Sequence, residues 1–461
     1  MAHLMPPFRS RPAHHLFCSS SVLLLKPEMQ SEFLSLLFQQ QLEEEEDETT
    51  HRNLAILGVL AAGIADSQSE HARRRNPSRR YLTRPQLMPD PRAESPWVRL
   101  WQGQEDRAFI TTMGFDVATF RFILEGRNRF ADIWDNTPIP REDVSSASAP
   151  RPHTRSLDAA GALGLVLHYL GSAIHEVQLQ QIFAVVPSVL TRYLKFSLHI
   201  LLTTLRRMNE ARIKIPSNAA EYEELSALIT ARHPLLEGAF GSIDGLSLAV
   251  QVSEDPELEN ATYNGWKTDH RITNVLMFSP KGTIIDCVLN APGSWHDAHT
   301  AKPIFERLRS DVPSGFYVVS DTAFPRGPAA IQGKIQAPMK GGERIPADPV
   351  QQEQAMARNR QLLSYRQTAE WGMRIMQGSF GRLRVPLPIS NSDARQELLE
   401  ICCRLTNVRA ICVGINQIRS VYLPTWKASE DDRLWDELGN MLFGEIRRVD
   451  RVARFHVVPV A

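Results

Sequence analysis

Apolar positions change their spacing along this chain, and each change predicts a different kind of element. Between Pro96 and about Leu236 they recur with a helical period. Phe115, Phe120, Phe122, Ile123 and Leu124 share one face of a helix whose start Asp116 is placed to cap. Ala160 to Leu170 is apolar at almost every position, which implies a helix buried on most sides. From Glu176 to Lys195, a short helix, a break at Val185-Val-Pro-Ser188 and a second helix opening at Pro187 have the layout of a helix-turn-helix. That layout has two readings: a plain helical support, or a DNA-reading pair in which Thr191, Arg192 and Lys195 face nucleic acid. The turn lacks glycine, and the second helix offers few basic or amide side chains for base edges.

From Gly238 the period moves toward two. Residues 242–250, 272–278 and 283–289 read as strands, the last two joined by the turn Ser279-Pro-Lys-Gly282. Helical material near residues 298–309 follows, then a strand over 315–320, a shorter run at 334–340, a helix from about Gln352 through Ile375, and a last helix over 395–412. A three-stranded meander, a helix, a further strand and a helix is the order of ribonuclease-H-like nucleases. The predicted fold class is therefore α/β: a ribonuclease-H-like mixed sheet flanked by helices, behind an N-terminal all-helical subdomain. The predicted division is a mostly disordered leader over 1–95, a helical subdomain over 96–236, the sheet domain over 237–425 and an appendage over 426–461.

Composition and charge narrow this picture only a little. The 461 residues carry 52 basic and 52 acidic side chains, so no global field points to nucleic acid, and such binding would rest on local patches. Residues 43–48 include an acidic run and residues 71–80 a basic one; like charges in blocks repel and stay solvated. The basic run is also of the kind that serves nuclear import or phosphate contact. The five cysteines, Cys18, Cys287, Cys402, Cys403 and Cys412, form no CxxC pair and are expected to be buried, inert thiols of a reducing compartment. No apolar stretch approaches the roughly 20 residues of a membrane span, and Val22-Leu-Leu-Leu25 is short for a signal segment, so a soluble intracellular protein is expected.

Three acids stand out against this background. Asp244 lies in the apolar run Phe240-Gly-Ser-Ile-Asp-Gly, Asp321 closes Phe316-Tyr-Val-Val-Ser-Asp, and Glu370 falls in the predicted helix before Trp371-Gly-Met. A carboxylate in an apolar strand is costly unless something pairs with it, and three converging on one point would suit a hard divalent cation. Each also has a plainer reading: a turn aspartate, a cap and a solvated helix residue. Acidic oxygens favour Mg or Mn over zinc, and two such ions roughly 3.5 to 4 Å apart can activate an oxygen nucleophile and neutralise the leaving oxygen in phosphodiester chemistry. A carboxylate-pair glycosidase would need aromatic platforms around a sugar cleft, and none is evident in the sequence.

The segments between these acids resemble, in order, the blocks of the PIF/Harbinger transposases and the nucleases derived from them. They are Ile243-Asp-Gly, Tyr263-Asn-Gly-Trp-Lys-Thr-Asp-His-Arg-Ile-Thr-Asn274, Ala291-Pro-Gly-Ser-Trp-His-Asp297, Ser320-Asp-Thr-Ala-Phe-Pro325 and Ala369-Glu-Trp-Gly-Met-Arg374, with Leu405-Thr-Asn407 closing the domain. The resemblance spans roughly residues 110–415. It implies a DDE superfamily endonuclease with Asp244, Asp321 and Glu370 as catalytic metal ligands, two Mg or Mn ions, DNA as substrate, a nuclear location and a separate Myb-like DNA-binding partner. Lys267 becomes a candidate DNA contact beside Arg192 and Lys195, and His296 and Asp297 candidate supports of the site from behind the ligands. The chain departs from the family around all three acids, with Gly245-Leu-Ser247, Thr322-Ala-Phe324 and Trp371-Gly-Met373 following them. The alternative is thus a domesticated, inactive DNA- or protein-binding module on the same fold.

Overall fold

A computed structural model of the chain describes residues 82–140, 149–326, 328–340 and 346–422. The acidic and basic runs of the N-terminal leader, Cys18 and the expected C-terminal appendage lie outside the described residues.

The helical region opens with α1 (Pro96–Gly103), α2 (Asp106–Met113), α3 (Val117–Leu124) and α4 (Phe130–Asn136). Ser95 and Asp116 cap α1 and α3, the Asp116 carboxylate accepting the Thr119 N–H at 2.6 Å. Next is α5 (Ala159–Gly171), in which every residue from Ala160 to Leu170 is buried, as its unbroken apolar run requires. Trp97 lies across α5 at Gly164, where a side-chain carbon would collide with the indole. The same indole stacks on Phe183 at 5.5 Å and packs against Phe120 at 5.9 Å. Phe122, placed by its spacing on the buried face, is instead exposed under the Arg129 guanidinium, 4.2 Å from its ring centroid.

Helices α6 (Glu176–Phe183) and α7 (Pro187–Arg207) meet at 93°. Ala184 takes the left-handed conformation that a glycine would usually supply at this turn, with φ 51°. Thr191 and Lys195 face solvent on α7 and Arg192 is half-buried. Farther along the same helix, Arg206 reaches Glu400 at 2.6 Å, so α7 is also a strut against the last long helix. Helix α8 (Ala219–Thr230) leads into the sheet.

The sheet is built from β1 (Ala239–Ala249), β2 (Tyr263–Asn264), β3 (Asp269–Phe278), β4 (Ile284–Pro292), β5 (Tyr317–Ser320) and β6 (Ile335–Gln336), with α9 (Pro256–Thr262) before β2. The order is β2-β3-β1-β5-β6, and β4 also pairs with β3. The β1–β3 and β3–β4 pairs are antiparallel and β1–β5–β6 run parallel, the mixed open sheet of a ribonuclease-H-like fold. Gly282, at φ 80°, closes the expected turn, its N–H reaching the Ser279 carbonyl at 3.0 Å. The expected strand over residues 334–340 is only two residues long.

Helices α10 (Asp297–Thr300) and α11 (Lys302–Ser310) follow β4, and a short α12 (Pro328–Ile331) precedes β6. Phe240, Ile243, Val275, Ile304, Phe305 and Val318 share a core on the α11 side of the sheet. On the other side lie α13 (Pro349–Ser379) and α14 (Ser392–Val408), where one cluster runs from Trp97 through Leu246 and Leu276 to Leu405. Gly372 lets α13 settle on the Phe278 ring, and the Thr368 hydroxyl donates to Ser242 Oγ at 2.7 Å. Asn407, fully buried, exchanges hydrogen bonds with both backbone groups of Ile284, at 2.7 and 2.9 Å. Among the described residues no single helix is long and apolar enough to cross a membrane.

The expectation of buried cysteines needs one correction. Cys402 and Cys403 are buried in α14, where burial pushes the Cys402 thiol up, but Cys287 is half-buried and Cys412 is exposed on the π-helical turn after α14.

Candidate functional site

The parallel register places Ser242 beside Val319 and Ile243 beside Ser320. Running it on by one residue sets Asp321, just beyond β5, alongside Asp244 in the middle of β1. Alternation along β1 puts Asp244 on the Ser242 side, the face covered by α13. The next residue, Gly245, faces the other way, and the space its side chain would fill is taken by the Asp297 carboxylate at the start of α10. Three carboxylates thus lie near enough to the end of β5 to act on one another's charge, from both sides of one strand.

Their electrostatics are unfavourable. The Asp244 carboxyl is raised from 3.8 to about 6, first by burial and then by the negative charges of Asp321 and Asp297, while the Gly245 N–H, 2.8 Å away, and Arg366 pull the other way. Asp297 is also raised, by burial and by Asp321, with Lys267 and His296 opposing. Asp321 has a local structural bond as well: its carboxylate accepts the Ala323 N–H at 2.9 Å and shapes the turn after β5.

Glu370 reaches this group indirectly. It lies on α13 and pairs with Arg366 one turn earlier, at 3.1 Å, and Arg366 is the cation that acts on Asp244. Sequence reasoning passed over Arg366, although an Arg and a Glu four residues apart on a helix are neighbours by spacing alone. Among the described residues no three His, Cys, Asp or Glu side chains stand together in a way that would hold one ion. The chemistry of the cluster still suits a hard cation. Mg is commonly held by one or two carboxylates plus waters and substrate phosphates rather than by a full protein cage, and Asp244 with Asp321 provide such a pair.

Two loops border the acids. The β2–β3 hairpin carries Gly265-Trp-Lys-Thr268 at its tip, closed by the Lys267 N–H on Asn264, while Trp266 is 94% exposed. The Asn264 amide donates to the Gly293 carbonyl at 2.7 Å, tying the hairpin to the loop that carries Trp295, His296 and Asp297. Gly293 has no room for a side chain between the Arg271 and Thr262 carbonyls. Trp295 is 45% exposed and stands edge-on to His299 at 4.5 Å. Sequence reasoning quoted both tryptophans within its motifs and gave neither a role of its own. Asn274, in the same motif, is structural: it donates to the Leu246 carbonyl and accepts the Asn290 N–H where the β3–β4 register shifts. Arg192 and Lys195 lie on α7 in the helical region.

Residues 243–407 match the family model described as DDE superfamily endonuclease, a little more than a third of the chain that begins one residue before Asp244 and ends at Asn407. This gives the sheet region the sequence character of a DDE endonuclease domain, a superfamily whose nucleases generally use divalent metals. No curated protein and no solved structure matches the chain significantly.

Proposed function

We propose that the chain is a metal-dependent DNA nuclease, or strand-transferring relative, of the PIF/Harbinger type. The observation that supports it most is that Asp244 and Asp321 each follow the paired residues Ile243 and Ser320 and act on each other's charge, inside the segment that matches the endonuclease family. In this reading Asp244 and Asp321 hold Mg or Mn, Glu370 joins them once it leaves Arg366, and Asp297 adds negative charge from across β1. Bound divalent ions would supply an activated oxygen nucleophile and neutralise the leaving oxygen. The protein's own part is to fix the carboxylates on a rigid sheet and to keep them in a half-buried setting where a cation is strongly favoured. Arg192 and Lys195 would contact DNA away from the acids, and a Myb-like partner and a nuclear setting follow from the same reading.

The test is cleavage of plasmid or duplex DNA by the full chain with Mg or Mn. Asp244→Asn, Asp321→Asn and Glu370→Gln should each reduce it by roughly 100-fold or more, with unchanged circular dichroism. Wild-type cleavage by a variant removes that residue from the site. A second reading, an inactive DNA-binding module, is favoured by the Arg366–Glu370 pair, which engages the third acid. It predicts wild-type protein that binds DNA and shows no metal-dependent cleavage.

A further inference from the structure

We propose that Trp266 and Trp295 form a stacking platform for an unpaired DNA nucleotide next to the acids. This rests on the nuclease reading for the identity of the strand. A tryptophan at 94% exposure contributes almost nothing to the core, and at the tip of a hairpin it is offered to whatever approaches. It is also held in place. Tyr263 and Asn264 pair with His270 and Asp269, the Lys267 N–H closes on Asn264, and the Asn264 amide bolts the hairpin to Gly293. The second tryptophan, Trp295, lies two residues beyond Gly293 and two before Asp297, propped against His299.

The electrostatics select the occupant. Lys267 follows Trp266 directly, and its charge reaches Asp297, so aromatic face, cation and acid cluster are neighbours. An exposed indole beside an ammonium group suits a base with its phosphate, and stacking tolerates any base. A base within a duplex offers its face only at an end or where the strands separate. The platform therefore favours a frayed or forked strand, delivering the adjoining phosphate toward Asp244 and Asp321. Docking of a second copy of the chain through the same tryptophan is the competing outcome of the test.

The experiment is fluorescence anisotropy with the full chain in EDTA, comparing a labelled blunt duplex with the same duplex carrying a three-nucleotide fork. Wild type is expected to bind the fork about tenfold more tightly, a typical contribution from one stacked base. Trp266→Ala should erase this ratio, Trp266→Phe should keep most of it, and Trp295→Ala should reduce it. Lys267→Gln should weaken both substrates alike and flatten the salt dependence. Equal binding of fork and blunt duplex by wild type, or an unchanged ratio in Trp266→Ala, overturns the proposal. So does a change in sedimentation of Trp266→Ala that shows loss of self-association. If Asp244→Asn cleaves like wild type while the fork preference depends on Trp266, the nuclease assignment of Asp244 fails and the platform stands.

Discussion

The helical region and the acid cluster each bury a titratable group, and they do so with opposite consequences. His168 sits in α5 edge-on to Trp97 and Phe183, and burial lowers it to about 4, so it is neutral at pH 7 and matches its apolar surroundings. Asp244 is raised to about 6, so at pH 7 it is ionised in a place that disfavours ionisation, beside two further carboxylates. The first region is arranged for stability at neutral pH; the second is arranged against it. A fold that keeps three carboxylates together, with Arg366 and Lys267 offsetting them only in part, has placed them for a purpose other than stability, and a bound cation is the simplest partner for them.

The largest expected effect sharpens the helical side of this contrast. Trp97→Ala removes an indole that is 2% exposed and wedged over Gly164, and should cost about 3–5 kcal/mol in urea denaturation. The affinity for Mn in the folded protein should not change. A loss below about 1 kcal/mol would show that the aromatic cluster does not carry the region.

At the acid cluster the expected change in stability has the opposite sign. Because the folded Asp244 is raised, its contribution to stability is fully present below pH 3.8 and is lost as pH rises through about 6. The rise from 3.8 to about 6 corresponds to about 3 kcal/mol at most. Asp244→Asn in metal-free buffer should therefore be more stable than wild type at pH 7, with the difference vanishing near pH 4. His168 changes in the opposite sense, its contribution present above pH 6.5 and lost as pH falls through about 4, in both proteins alike. A destabilised Asp244→Asn at pH 7 would mean that the strand accommodates the charge without strain.

Much of the fold was legible because it follows from spacing. The period-two strands, the Ser279–Gly282 turn, the Asp116 cap and the all-buried α5 each depend on a few neighbouring residues. The site was legible in part. Asp244 and Asp321 could be paired because the topology dictates where a fourth strand lies against a first. What the sequence hid depends on direction rather than order. That Asp297 fills the missing side chain of Gly245 requires the loop after β4 to fold back over β1, and that Glu370 points to Arg366 depends on a rotamer. The exposure of Trp266 depends on a hairpin tip with nothing above it among the described residues.

A smaller effect is expected at Arg366. Its pair with Glu370 has both side chains about one-third exposed, so it is worth roughly 0.2–1 kcal/mol. Arg366→Met should release Glu370 toward the aspartates and tighten Mn binding by about two- to fivefold. Weaker binding would instead make Arg366 a support of the site.

The most direct test of the central claim is a calorimetric titration of the full chain with Mn at pH 7, for wild type, Asp244→Asn and Asp321→Asn. Wild type is expected to bind Mn and both variants to lose that binding, although each stays folded. Mn binding of wild-type strength in both variants would contradict it.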